Sequence, residues 1–483
     1  MGVKIGGQVE KVNGKELSYS EFVERYLVKN QPVVLTGLMD DWRACKDWVT
    51  HNAHPNLQFF STHFGKSKVQ VADCGTREFT DQKRVEMSVS EFVKHWLENS
   101  TKESSDSSTS EANGMSVLYL KDWHFVKTAI GVNLLYGILD GFTPVIDEYQ
   151  EYLAYRTPLI FCDDWLNLYL DNYRMHKDPD TYQKDNEISC SDYRFVYMGA
   201  KGSWTPLHAD VFRSYSWSAN VCGKKKWIFL PPSQCHLVFD RNLKNCVYDI
   251  FDDVSETNFP GFKKAIWLEC TQEQNEIIFV PSGWYHQVQN LWDLLLRDYN
   301  EAKEYIEDLR DICDDFEGLC QRNLAANTGM NFNDFFTFVS RFTLLNVVQL
   351  FQLLRDSKNP MRSSSPIAQH LALNLLSIRK IVLKMKCVVI PSGNCKFFVD
   401  LRETLDDPEF LKLCMGFSKM YGMIHKLEKW SCDMKKSLMV DLEGYSYLIS
   451  TVEDLIKLID YAAGKLSNNC SEENILLSKF DDA

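Results

Sequence analysis

Within WTPLHADVF, residues 204–212, a histidine and an aspartate stand one residue apart in an otherwise apolar, extended-looking segment. On a strand, side chains alternate between faces, so His208 and Asp210 would share one wall while Ala209 points away. A second histidine follows in VPSGWYHQV, where a strand ending at Pro281 turns through Ser282 and Gly283 and delivers His286. Two imidazoles and one carboxylate on neighbouring strands can occupy one face of an octahedral iron and leave the opposite positions open for substrate and oxygen. An HxD pair alone carries little weight, since a chain with eleven histidines holds about one by chance. The plain alternative is a satisfied strand histidine beside a turn aspartate. The returning His286 shifts the balance to a metal centre.

Elements able to position such residues can be read on both sides of them. LSYSEFVERYLVK reads as a helix, followed by the buried-strand run PVVLTGL and a short tryptophan-rich segment. From about residue 193 the chain becomes a series of short β-prone runs, YRFVYMG, SWTPLHAD, SYSWSANVCG, KKWIFLPP, AIWLEC and EIIFVPSGWYHQVQN, separated by Gly, Pro or charged turns. Many short strands at close spacing imply a barrel or sandwich. Past residue 292 the period changes: Leu295, Tyr299, Ala302, Ile306, Leu309, Cys313 and Phe316 recur at three- and four-residue steps, one face of a long helix. Similar patterns return in FNDFFTFVSRFTLLNVVQLFQLL, IAQHLALNLLSIRKIVLKM and SYLISTVEDLIKLIDYAAGKL. The Ser-rich stretch from Asn99 to Asn113 has no hydrophobic period and reads as a loop.

Composition bounds the function classes. A chain of 483 residues with 45% apolar and 25% charged residues can bury a core without staples. A formal charge of -13 with no long basic run argues against nucleic-acid binding. The start MGVKIGGQVEKVNGKELSY lacks an apolar signal segment, so the fifteen cysteines are expected to be reduced thiols of a cytoplasmic or nuclear protein. No CxxC pair supports a zinc knuckle. No run is read as membrane-spanning, the nearest being residues 129–139.

The runs PVVLTGLMDDW, YLKDWH, FCDDWLN, MGAKGSWTPLHAD, FRSYSWSANVCGKKKWIFLPP and FVPSGWYHQVQN together resemble the JmjC oxygenases, and most of all their jumonji-domain-containing protein 4 branch, from roughly Glu16 to Asn290. The resemblance implies a mainly β plus α fold: a double-stranded β-helix (cupin/JmjC barrel) with N-terminal helix and strand elements and a C-terminal helical region. It divides the chain into residues 1–127, a barrel core at 148–291 and the helical region at 292–483. It implies Fe(II), 2-oxoglutarate and O2, with His208, Asp210 and His286 as catalytic iron ligands. The far carboxylate of the cosubstrate is a buried anion that needs a cation and donors; the resemblance assigns Lys225, Thr205 and Tyr119 to it. Strand alternation would send Lys224 and Lys226 the other way. The plain alternatives are a solvated turn lysine for Lys225 and a half-buried core tyrosine for Tyr119. Arg213 and Ser218 lie beside the ligand segment, Arg213 being equally suited to a structural ion pair.

The implied activity is hydroxylation of a lysine side-chain carbon in a protein substrate, a translation release factor in that branch, with no nucleic-acid or membrane partner. The alternatives are a lysine or arginine demethylase with the same ligands, or a catalytically impaired scaffold. The scaffold alternative comes from two departures. After VQN the family continues with another barrel strand, whereas here Asn290 and Leu291 lead straight into a helical pattern. TAIGVNLLYGILDGFTPVID, residues 128–147, stands where the family has no insertion. An omission at a strand boundary and an insertion without turn logic point to an alternative transcript or a mis-assembled coding sequence.

Overall fold

The computed structural model describes residues 3–103, 117–125, 152–173, 192–285, 330–356, 366–386, 399–426 and 448–467. His286, the 128–147 segment, the omission after residue 291 and the helix read at 295–316 lie outside them. The chain divides into two units: Met1–Phe161 with Tyr193–Val288, and Cys162–Asp192 with Gln289–Ala483.

In the first unit the strands in chain order are β1 (Lys4–Gln8), β2 (Glu10–Asn13), β3 (Val33–Thr36), β4 (Lys68–Glu78), β5 (Asp81–Ser88), β6 (Leu118–Trp123), β7 (Val196–Gly199), β8 (Ser216–Asn220), β9 (Lys225–Phe229), β10 (Ile266–Gln272) and β11 (Glu276–Val280). They form three sheets, ordered β1-β10-β9, β2-β3-β11-β8 and β5-β4-β6-β7. The first two face each other across Val9, Val34, Phe229, Cys270, Ile278, Val280 and Trp284, all buried. On the far side of the second sheet, Val33, Leu35, Ile277 and Phe279 pack with Phe22 and Phe161. PVVLTGL and EIIFV therefore read as unbroken apolar runs because β3 and β11 are covered on both faces. The Ser18 and Glu21 capping box starts the N-terminal helix, which delivers Phe22 and Tyr26 to that core. In the third sheet, Val71, Leu120 and Trp123 meet Phe60, Phe64 and Phe92 from the Leu57–Phe64 and Val89–Glu103 helices. The second of these helices runs into the predicted Ser-rich loop, so Asn99–Glu103 is helical and only the remainder of that stretch lies outside the described residues.

One expectation is corrected here. The segment carrying His208 and Asp210 is not a strand: residues 203–210 join no ladder, and Asp210 is extended before a 3-10 turn at Val211–Arg213. The physical reason lies in its partners. Pro206 has no N–H to give, the Trp204 carbonyl accepts from Gln82 Nε2 at 3.0 Å, and Leu207 N–H donates to Tyr248 O at 3.0 Å.

In the second unit the Phe332–Asp356 helix is central. Its stretch Phe332–Leu353 is long and apolar enough to cross a membrane, which the sequence reading did not recognise, yet 78% of its apolar window is buried inside the protein. Ser340, Thr343, Asn346 and Gln349 form a buried polar stripe on it. Gln349 Nε2 donates to Ser418 Oγ at 2.6 Å and Asn374 Nδ2 to Asn346 Oδ1 at 3.0 Å, tying this helix to Pro408–Ile424 and Pro366–Lys386. FCDDWLN, expected in the β part, is divided: Phe161 stays with the first unit, while Cys162–Asn167 group with these helices. Trp165 stacks on Phe342 with centroids 4.7 Å apart, and Arg341 Nη1 donates to Tyr169 OH at 2.7 Å.

The same unit carries a half-buried relay. His370 Nε2 lies 3.2 Å from Asp163 Oδ2, and its Nδ1 lies 3.1 Å from His425 Nε2. Burial, and then the neighbouring His370, hold His425 down at about 4 against an ordinary 6.5. The unfolded chain takes up that proton near 6.5 while the folded one resists until about 4, so stability present at neutral pH is lost as pH falls across that window. Because the group is half-buried and solvent screens part of the shift, urea unfolding is expected to show about 1 kcal/mol less stability at pH 5 than at pH 7 from this group alone. A His425→Gln protein should lose that part of the decline; an identical decline in both proteins would remove His425 as its source.

Candidate functional site

The segment bearing the first two predicted ligands is held mainly by side chains. His208 Nδ1 donates to Pro206 O at 2.8 Å, which makes Nε2 the ring nitrogen that carries the lone pair a metal ligand uses. Ser216 Oγ donates to Asp210 Oδ2 at 2.5 Å, and Arg213 N–H donates to Asp210 O at 2.7 Å. Ser216 opens β8 and pairs with Val280, the last residue of β11 and the point from which the chain departs toward Tyr285. Tyr285 then bridges back to Leu230, its N–H donating to Leu230 O at 2.8 Å. Directly after Asp210 the backbone turns sharply: Phe212 and Arg213 adopt φ of 56° and 47°, left-handed values that cost L-residues energy and concentrate at functional positions. Both side chains are buried, which holds the turn in place.

Lys225 opens β9 opposite Gln272 of β10. Alternation puts it on the face of Trp227 and Phe229, whose rings stack 5.6 Å apart in the space between the first two sheets. Its neighbours point the other way, as expected: Lys224 pairs with Glu273 at 2.9 Å and Lys226 with Glu269 at 3.1 Å, both on exposed side chains. Among the described residues Lys225 has no hydrogen bond or ion pair; its Nζ lies 5.8 Å from the Trp227 ring and 5.9 Å from the Tyr197 ring. Burial alone pulls its pKa down to about 8.

Tyr197 connects the other predicted residues. Its hydroxyl donates to Asp122 Oδ1 at 2.6 Å, and its ring lies 6.0 Å from that of Tyr119 on the neighbouring strand. Desolvation first, then Asp122, Tyr119 and the Asp210 carboxylate, raise its pKa. Tyr119 is buried and likewise raised, chiefly by burial, so it remains a neutral phenol able to donate. Gly199, opposite Tyr119 in β7, leaves space for that ring: a Cβ there would sit 2.6 Å from Tyr119 Cδ2. The structure thus brings Lys225 and Tyr119 to the Tyr197 ring. Thr205 is exposed and shares no hydrogen bond with Lys225 or Tyr119 among the described residues.

No three potential ligand side chains are gathered among the described residues, and the third predicted ligand, His286, is not one of them. The parts that are described fit iron and a dicarboxylate: an imidazole whose tautomer is fixed, a carboxylate held by a serine, and a partly buried ammonium with no anion beside it among the described residues. Sequence reasoning missed Ser216 and Tyr197. The period-2 alternation of SYSWSAN, with Ser216 and Ser218 on the face away from Trp217, was the available signal for Ser216; nothing in the sequence marked Tyr197.

Comparison with known proteins agrees with this chemistry. Residues 19–327 match the cupin-like domain family. The arginine-specific demethylase JMJ20 of Arabidopsis thaliana is 55% identical over 486 residues, covering 95% of this chain and 98% of that protein. The 2-oxoglutarate and iron-dependent oxygenase JMJD4 is 35% identical in Danio rerio, covering 69% of this chain and 75% of the relative, and 32% identical in Homo sapiens, covering 67% and 72%. With its cupin-like match spanning most of the chain, the protein belongs to the JmjC family of 2-oxoglutarate- and iron-dependent oxygenases.

Proposed function

We propose that the protein oxidises a C–H bond on a basic side chain of another protein. In this reading His208, Asp210 and His286 hold iron, while Lys225, with Thr205 and Tyr119, receives the far carboxylate of 2-oxoglutarate. The observation that carries it is Lys225, a partly buried ammonium on an inner strand face with no anion beside it among the described residues. Such a charge is costly unless a bound anion completes it. We also propose that the two facing sheets are the halves of a double-stranded β-helix, with β1–β2 and β10–β11 passing from one to the other.

When bound, iron and 2-oxoglutarate supply oxidising chemistry: oxygen converts the keto acid to succinate and carbon dioxide, and one oxygen atom enters a substrate C–H bond. The chain's own residues orient and shield. The bond from His208 Nδ1 to Pro206 O aims the imidazole, Ser216 fixes one oxygen of Asp210, and the neutral Tyr119 hydroxyl can donate to a carboxylate.

Where the attacked C–H bond lies decides the product. On a side-chain carbon the oxygen stays as an alcohol; on an N-methyl group the hydroxymethyl amine releases formaldehyde and the methyl is lost. Lysyl hydroxylation of a translation release factor is the form implied by the JmjC resemblance. Arginine demethylation is favoured by JMJ20, which matches across 98% of its length. The test is succinate release with iron(II), using a release-factor peptide and a methylated-arginine peptide, followed by mass spectrometry. Gain of one oxygen supports the hydroxylase and loss of a methyl with formaldehyde the demethylase. Metal binding without turnover of either peptide would favour the impaired scaffold. We place the protein in the cytoplasm or nucleus, on thiols that are unbridged at every described cysteine.

A further inference from the structure

We infer that Gln82 and Trp204 form a clamp that positions the metal-binding segment, with Gln82 as a positioning residue far from the ligands in sequence; the inference rests on the oxygenase reading above. Residues 203–210 have no strand ladder to fix them, so their placement depends on individual bonds. Trp204 carries two. Its carbonyl accepts from Gln82 Nε2 at 3.0 Å and from the Cys74 thiol at 3.7 Å, and its indole N–H donates to Cys74 O at 3.2 Å. The Cys74 carbonyl is available because β4 slips register against β5 between Asp73 and Arg77, an irregularity of the kind that re-aims groups beside active sites. Trp204 also meets the Tyr248 ring edge-on at 5.5 Å, and Tyr248 O receives the Leu207 N–H.

Gln82 is 1% exposed, and a buried amide can face either way round unless its partners dictate one orientation. Lys121, 3% exposed on β6, supplies that constraint. Its ammonium can only donate, and it lies 3.3 Å from Gln82 Oε1 and 3.7 Å from Asp81 Oδ1. The oxygen of Gln82 must therefore face Lys121, which leaves the NH2 for the Trp204 carbonyl. From there the chain passes through buried Pro206, whose carbonyl takes the His208 ring N–H, to Asp210. A bond on β5 thus sets where the imidazole and carboxylate sit, and loosening such supports weakens metal binding.

Gln82→Glu separates this role from folding. The carboxylate keeps Lys121 paired, yet it cannot donate and opposes the Trp204 carbonyl with a second acceptor. Titrating metal-free protein with Mn(II) and following the free-ion EPR signal should give about tenfold weaker binding than wild type, with an unchanged melting temperature and a raised KM for 2-oxoglutarate. Equal Mn(II) affinity in a folded Gln82→Glu protein overturns the clamp. Should that variant not fold, Trp204→Phe keeps the ring against Tyr248 and removes only the bond to Cys74; wild-type affinity there overturns it equally. Wild-type protein that takes up no Mn(II) sinks the oxygenase reading, and the clamp with it; wild-type uptake with unaltered variants sinks the clamp alone.

Discussion

A Lys225→Met protein is expected to be more stable than the wild type and unable to use 2-oxoglutarate at ordinary concentrations. Burial holds the Lys225 pKa near 8 against an ordinary 10.5, so at neutral pH the empty protein carries a desolvated ammonium at a cost of up to about 3 kcal/mol. Below pH 8 both folded and unfolded chains are protonated and the whole cost is present. Between 8 and 10.5 the folded amine releases its proton first, so the empty wild type should gain stability as pH rises, and the methionine variant should not. The cosubstrate changes the sign of the argument. A carboxylate beside Lys225 turns the unpaired charge into an ion pair, and breaking a buried pair costs about 3–5 kcal/mol, a loss of roughly 100- to 1,000-fold or more in cosubstrate affinity. Thermal melts with and without 2-oxoglutarate, together with its KM, check both halves. A variant that melts lower than wild type, or that keeps its KM, would return Lys225 to the role of an ordinary strand lysine.

A His208→Ala protein is expected to keep its fold and to release succinate at less than about one-thousandth of the wild-type rate, a barrier increase of some 4 kcal/mol. His208 is exposed and its ring is tied locally to Pro206, so removing it leaves no large cavity and should shift stability by no more than ~1 kcal/mol. In the proposed site, two ligands would hold the metal far less well than three. Ser216→Ala gives a graded companion: it frees one oxygen of Asp210 without removing a ligand, and about a tenfold loss of metal affinity is expected. Succinate release and Mn(II) titration measure both, and turnover surviving in His208→Ala would exclude this histidine from the ligand set.

Much of this was legible wherever burial writes a pattern into the chain. PVVLTGL and EIIFV announced strands covered on both faces, and FNDFFTFVSRFTLLNVVQLFQLL announced the central helix. In GKKKW simple alternation separated Lys225 from two surface lysines. The failures are equally physical. WTPLHAD looks like a strand because its letters are β-prone, but its backbone groups are taken by Gln82 and Tyr248, partners more than a hundred residues before it and some forty after it. Asn99–Glu103 has loop composition, yet the Val89–Glu103 helix carries it along. FCDDWLN carries no mark that the chain changes units after Phe161; Phe342, which stacks on Trp165, and Arg341, which holds Tyr169 on the same helix, lie far away in sequence. The hairpin of β4 and β5 went unread, and Gln82 with it, because its outward positions are charged and its function is to support a distant loop.

The loop that carries His208 and Asp210 hangs from a few individual bonds, most of them to side chains, whereas the strands around it are laced by ladders. If these residues hold the metal as proposed, catalytic competence and bulk foldedness are separable properties of this protein. Gentle heating or ageing would first release the loop, yielding material with an intact circular dichroism spectrum and an empty, inert centre. A preparation judged sound by its secondary structure alone would be credited with activity it no longer has.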